Sequence, residues 1–233
     1  MFFGYEKHTR PKKRADIYQK LKKAGIIEAK NLVDLQRSSG GFFKVIFSFG
    51  MLFAVFYFML ELFPVFNLFL RTPVMVLGIL LGMASLSVYN WLNRFDSKED
   101  YLFLPLTEEE LLRSKVRSFY ILVVPIILLV ETAAFILLNS SLLGLFHGIV
   151  AGLVSSSYIL AVAVTLTGMK PNTMLFDSGK LVKFVFYSSL LFVPLLILSI
   201  SIVSSPIYSS VFALALYTAG AVVVWKEVFR RLG

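Results

Sequence analysis

The sequence contains no cysteine, which excludes a disulfide framework, thiolate metal sites and a cysteine nucleophile. Histidine is nearly as scarce, with His8 and His147 alone. They form no pair at metal-ligand spacing, and no HExxH run occurs. Ser155, Ser156 and Ser157 make a hydroxyl cluster. His147 precedes it by about two helical turns, so the cluster lacks a convincing base for a serine nucleophile. No GxxxxGK[ST] phosphate loop is present: Gly179-Lys180 is followed by Leu181 and lacks the upstream glycine. The chain therefore reads as a protein without ATPase or hydrolase machinery of its own. Charge is sparse too. Asp, Glu, Lys and Arg supply 16% of the residues, against about 25% in an ordinary soluble domain.

What replaces charge is apolar surface. Of 233 residues 58% are hydrophobic, and 23 are Phe. A soluble fold of this size cannot hide so much, so lipid is the expected solvent. A membrane-spanning helix needs about 20 mostly apolar residues. Six such runs are read, at 45–66, 72–93, 119–139, 145–168, 184–204 and 208–225. The short connections at 67–71, 140–144 and 205–207 are tight hairpins. The polar stretches 1–44, 94–118, 169–183 and 226–233 then fall on one side, and they hold 22 of the 23 Lys and Arg residues. Only Arg71 lies opposite. Cytoplasmic loops carry the excess of Lys and Arg, so both termini are expected in the cytoplasm, in a multi-pass protein of the cell membrane. The polar N-terminus does not read as a cleaved signal peptide. Topology and anionic lipid heads account for the net charge of +9; no nucleic-acid partner is called for. The expected class is all-α: a cytoplasmic N-terminal segment, 1–44, ahead of a six-helix transmembrane domain, 45–233.

Within the first segment, Ile17, Leu21, Ala24, Leu32 and Leu35 share one helical face, and Lys22, Lys23, Lys30 and Asp34 the other. This pattern predicts an amphipathic helix lying in the headgroup region, with Gly25 as a point of interruption. Ser38-Ser39-Gly40-Gly41 breaks it before the first span. In 94–118 the local signal is strongest. Thr107 is an N-cap, and Glu110 three residues on completes a capping box. Leu106 and Leu111 stand at the hydrophobic-staple positions. Glu108, Glu109 and Glu110 lie where the helix dipole is positive, and Pro105 holds the preceding chain extended. A short capped helix between the second and third spans is predicted. The third polar stretch, 169–183, carries an apolar Met174-Leu175-Phe176 patch, which either dips into the interface or packs under the first loop.

Two carboxylates interrupt the apolar runs, Glu131 near the middle of the third and Glu61 in the outer third of the first. A charge at that depth is costly, so each should face the bundle or a wet cavity. Glu131 is either a group of a translocation path or a structural, protonated or hydrogen-bonded carboxyl; Arg71 is placed to neutralise Glu61. Gly144, Gly148, Gly152 and Ser156 recur every four residues in the fourth run, as do Gly78 and Gly82 in the second. Such stripes let helix backbones approach closely, within the bundle or against a second protomer. Pro125 and Pro194 are expected kink points.

The layout resembles the permease subunit of a type-2-class ABC exporter, a family with a flat N-terminal connecting helix, six spans and a capped coupling helix between the second and third. The stretch from Asp100 to Lys115, with Leu104-Pro105-Leu106-Thr107, Glu110 and Lys115, looks like that family's acidic–x–x–x–Leu–Pro–x–Thr/Ser–x–x–Glu–x–x–x–x–Lys loop. The resemblance implies a separate cytoplasmic ABC ATPase that binds ATP and Mg. It would dock on Leu104, Pro105, Thr107, Glu108, Glu109, Glu110, Leu112 and Lys115. It also implies a second permease chain, identical or paralogous, with the path between the two. No cofactor is implied for this chain itself. The minimal connection between the fifth and sixth runs departs from many members and speaks against polysaccharide or large glycolipid export. The rival reading is a secondary transporter or a substrate-capture membrane subunit using Glu131; a third is a structural or assembly protein.

Overall fold

A computed structural model of the chain describes residues 25–63, 73–93, 107–168 and 176–200, with scattered positions between 215 and 230. Among the described residues it is all-helical, without strands. The helices are α1 (Ile26–Arg37), α2 (Gly41–Leu62), α3 (Pro73–Ala84), α4 (Leu86–Leu92), α5 (Glu108–Leu137), α6 (Leu142–Thr167) and α7 (Ser178–Ile200). Four helical stretches are long and apolar enough to cross a membrane: α2, α3 continued by α4, α5 and α6, with mean hydropathies of 2.1, 1.7, 2.5 and 2.1. The fifth predicted run begins within α7, and the sixth, 208–225, lies almost wholly outside the described residues, as do Glu61's expected partner Arg71 and the Met174-Leu175 pair.

Local chemistry sets the boundaries. α1 starts immediately after Gly25, whose φ of 68° is left-handed, so the predicted interruption is the helix start; 15–24 lie outside the described residues. The predicted break at 38–41 is a turn in which Gly40 and Gly41 take φ of 84° and 47°, conformations that favour glycine. At Gly41 a side chain would also meet the Gln36 carbonyl at 2.9 Å. α3 and α4 meet at Ser85, whose backbone stays right-handed helical and whose hydroxyl donates to the Gly82 carbonyl. The Ser141 hydroxyl accepts from the Gly144 amide at 3.1 Å and caps α6.

One expectation is corrected. The predicted short helix after Thr107 is not a separate element: α5 runs unbroken for 30 residues, with Pro125 inside it. Residues 114–118, Ser-Lys-Val-Arg-Ser, contain no glycine or proline to stop propagation, so the capped turn and the span are one continuous helix of about 45 Å at 1.5 Å per residue.

α3–α4 and α6 form the middle of the bundle, each with 61% of its most apolar window buried; α2 and α5 have 22% and 28% and flank them. Phe43, Phe47, Met51, Val55 and Phe58 along α2, and Leu129 and Ile136 on α5, are exposed, as lipid-facing side chains are. In lipid the drive for helix association is close packing rather than water exclusion, and the glycine stripes supply it. A Cβ on Gly78 would lie 2.2 Å from the Gly148 carbonyl oxygen, and one on Gly82 2.4 Å from Ser155 Cβ, 2.9 Å from the Ser156 amide and 3.0 Å from the Gly152 carbonyl. Register rises together along both helices, so α3 and α6 run parallel, as alternate crossings of one bilayer must. Gly144 does not join this seam: its nearest neighbours are Ser141 and Ser140, at 3.4 Å and 3.7 Å.

Candidate functional site

The basic end of the bundle is tied together by polar side chains. Thr107 and Glu110 form the complete capping box. The Glu110 amide donates to Thr107 Oγ1 at 3.2 Å and the Thr107 amide to Glu110 Oε2 at 3.3 Å. Two of the orphan amides at the start of α5 are thus satisfied, an arrangement worth about 0.5–2 kcal/mol. The following turns present two faces. Arg113 and Arg117 point outward; Arg113 donates to Glu109 at 2.9 Å, and Arg117 reaches Glu28 of α1 at 3.3 Å. Leu111, Leu112, Ser114, Lys115 and Ser118 are buried.

That inner face joins three elements. Asn31 of α1 donates to the Ser118 hydroxyl at 3.1 Å in the buried contact between α1 and α5. Lys115 Nζ donates to the Leu92 carbonyl at 2.8 Å, at the last turn of α4. Tyr89 donates from α4 to the Gly168 carbonyl that ends α6, at 2.8 Å. Lys44 of α2 lies 5.2 Å from the centroid of the Trp91 ring on α4, a cation–π distance. Between α1 and the head of α5 lies a polar cleft of about 400 Å³, lined by Ile27, Glu28, Thr107, Glu109, Glu110, Arg113, Ser114 and Arg117.

Of the residues expected to meet an ATPase, Thr107, Glu109 and Glu110 border this cleft. Two others are corrected. Leu112, 2% exposed, belongs to the apolar core, and Lys115 is fully buried against Leu92; neither offers a surface to a partner in this fold. Leu104 and Pro105 lie outside the described residues, as does the Glu108 side chain. Glu28, Asn31 and Ser118, which sequence reasoning did not single out, complete the cluster. α1 turns its Leu35 face onto α2, α4 and α5 rather than standing apart, with Leu35 in the main core cluster.

Glu131 lies far from this end. It is fully buried where α5 crosses the α3–α6 seam. Its Oε1 faces Gly78, and its Oε2 faces Gly148. Neither oxygen has a hydrogen-bond partner. Asp177, ahead of α7, accepts from the Lys180 amide at 3.1 Å. That bond, with a smaller contribution from the Lys180 ammonium, holds its carboxyl below the ordinary value of 3.8. Among the described residues no group of three His, Cys, Asp or Glu side chains is placed to hold a metal. Comparison of the chain with protein-family models, with curated proteins and with solved structures gives no match.

Proposed function

We propose that this chain is the membrane-spanning permease subunit of an ABC transporter of exporter type. It would work as a dimer of two permease chains and be driven by a separate cytoplasmic ATPase that binds ATP and Mg. In this reading it crosses the cell membrane six times with both termini in the cytoplasm. The basic end of the bundle is the cytoplasmic end, and the head of α5, with α1 beside it, receives the ATPase.

The observation that carries the reading is the continuity of α5. Its first turn is closed by a capping box, and the same helix then runs through the apolar core to Leu137. A push on a frayed or hinged segment dissipates locally. A push on a capped, unbroken helix moves the membrane-embedded part with it. Lys115 and Asn31 would carry that displacement sideways to α4 and α1.

A photo-crosslinker placed at Thr107 or Arg113 in native membranes tests this. Capture of a subunit with nucleotide-binding motifs, together with its ATPase activity in the detergent-extracted complex, supports the reading. Replacing Glu108 and Glu109 by Lys should weaken the association, more so at low salt, where charge reversal is least screened. Crosslinkers that trap no ATPase, with the reversal variant fully active, would reject the ABC assignment in favour of the secondary-transporter reading that uses Glu131.

A further inference from the structure

Glu131 stands where a charged group has nothing to meet. It is fully buried at mid-span, its two carboxyl oxygens lack hydrogen-bond partners, and the walls on either side are glycine backbone. A carboxylate in such a place needs a counter-charge, a donor or a proton.

Among the described residues the surrounding elements offer no counter-charge. α3, from Pro73 to Ala84, has no ionisable side chain. α4 has only Tyr89, at the basic end. α6 brings His147, next to Gly148, and Tyr158, whose hydroxyl donates to the Tyr187 carbonyl on α7. On α5 itself Glu131 is the only ionisable residue between Tyr120 and Leu137. α2 contributes Tyr57 and an exposed Glu61 towards its far end, and Lys44 near its start, beside Trp91. The charges of α1 lie beside Arg117 and Ser118, about 20 Å away along the helix. Lys180 and Lys183 stand in the first turns of α7. Among the described residues, then, no lysine or arginine stands at the depth of Glu131.

Space removes the larger ligands. A single added carbon on Gly148 would sit 2.5 Å from Oε2, and one on Gly78 3.0 Å from Oε1. On its two glycine sides the carboxyl therefore packs directly against helix backbone, with no room for a further group between them. The backbone carbonyls of the crossing helices are engaged in their own ladders, so they do not complete an oxygen cage for a bare cation. A proton takes no room and removes the charge.

We propose that Glu131 is a proton-binding site within the membrane, closed by the crossing of α3 and α6. It holds its proton while Gly78 and Gly148 are packed against the carboxyl, and exchanges that proton only when the two helices part. The site reports the state of the crossing whether or not an ATPase drives the protein, so this inference does not rest on the ABC reading.

Infrared difference spectroscopy of the full chain in lipid at neutral pH tests it. The spectrum of the wild type minus that of Glu131→Gln should contain the carbonyl band of one protonated carboxyl. On transfer to D2O the band should shift more slowly than the exposed amides exchange. Glu61→Gln should leave it in place. If Glu131→Gln does not fold, carbon-13 labelling of the glutamate carboxyls in the unaltered chain gives the same readout. A difference spectrum with carboxylate bands only overturns the proposal. A protonated-carboxyl band that shifts at once in D2O overturns the closure.

Discussion

Gly78→Ala is the sharpest perturbation of this fold, because the new carbon would lie 2.2 Å from the Gly148 carbonyl oxygen. Side-chain carbons essentially never approach another atom within 3.0 Å, and here the obstacle is backbone, which cannot rotate away. The seam must open by about 1 Å, and overpacking of this kind costs about 1–3 kcal/mol. At 1.4 kcal/mol per decade, the folded-to-unfolded ratio falls by roughly 5- to 150-fold. Gly148→Ala meets Glu131 Oε2 at 2.5 Å and Val74 Cγ1 at 2.7 Å, both side-chain atoms with some freedom, so it should cost less. Gly50→Ala, in α2, meets nothing within 4 Å and should stabilise its helix by about 0.5–1 kcal/mol. Unfolding in a fixed detergent, followed by the fluorescence of Trp91 and Trp225, reads all three. Gly78→Ala as stable as wild type would refute the seam, as would a Gly50→Ala loss larger than that of Gly78→Ala.

At the basic end, Thr107→Ala with Glu110→Ala removes the capping box. Amide exchange over residues 109–111 should accelerate by the equivalent of about 0.5–2 kcal/mol, while the unfolding midpoint barely moves. Lys115→Met keeps the aliphatic stem but leaves the Leu92 carbonyl short of a donor. It should lower stability by about 1–3 kcal/mol, visible as an earlier unfolding transition in detergent. Because the folded Asp177 carboxyl titrates below its ordinary value, its stabilisation of the α7 start is full above that ordinary value. The stabilisation is lost as the pH falls through the folded one. Exchange at the Lys180 amide, corrected for intrinsic rate, should therefore rise in strong acid, and Asp177→Ala should show the faster exchange already at neutral pH.

Periodicity and turn chemistry made four of the six predicted spans, the Thr107 cap, the turn at Gly40-Gly41 and the Gly78–Gly148 and Gly82–Gly152 seam legible in the sequence. Each depends on residues within a few positions of one another. The corrected residues are ones placed on a partner surface by resemblance to a docking loop rather than by their own helical pattern: Leu112 and Lys115 are buried. Leu111, Lys115, Phe119, Val123, Ile127 and Glu131 follow one another at steps of four, and all six are buried. Extending the apolar stripe of α5 back from Phe119 would have put Lys115 on the inner face. It would also have put Glu131 and Lys115 on the same stripe, at opposite ends of the helix. Gly144 shares the spacing of the seam, but among the described residues only Ser141 and Ser140 lie within 4 Å of a Cβ placed there, and stripe spacing alone does not name the helix a residue meets. The Asn31–Ser118 bond joins positions 87 apart, and neither side chain carries a local signal of it.

The burial of Leu112 and Lys115 narrows where the proposed ATPase could push on α5. Its inner face is already spent on the protein itself: Leu111 and Leu112 on apolar neighbours, Lys115 on Leu92, Ser118 on Asn31. Glu109, Arg113 and Arg117 remain on the outer face, at steps of four, with Glu28 closing the row from α1. The proposed partner would meet one acidic and two basic side chains of α5 on a stripe about 12 Å long, bordered by the polar cleft. Exposed ion pairs of this sort contribute little to stability, about 0.2–1 kcal/mol each, so a partner can exchange them at small cost. The inner contacts are buried, and breaking them leaves polar groups unmatched. The weak bonds therefore face outward, where the proposed ATPase would come and go, and the strong ones face inward, where its push would pass to α1 and α4.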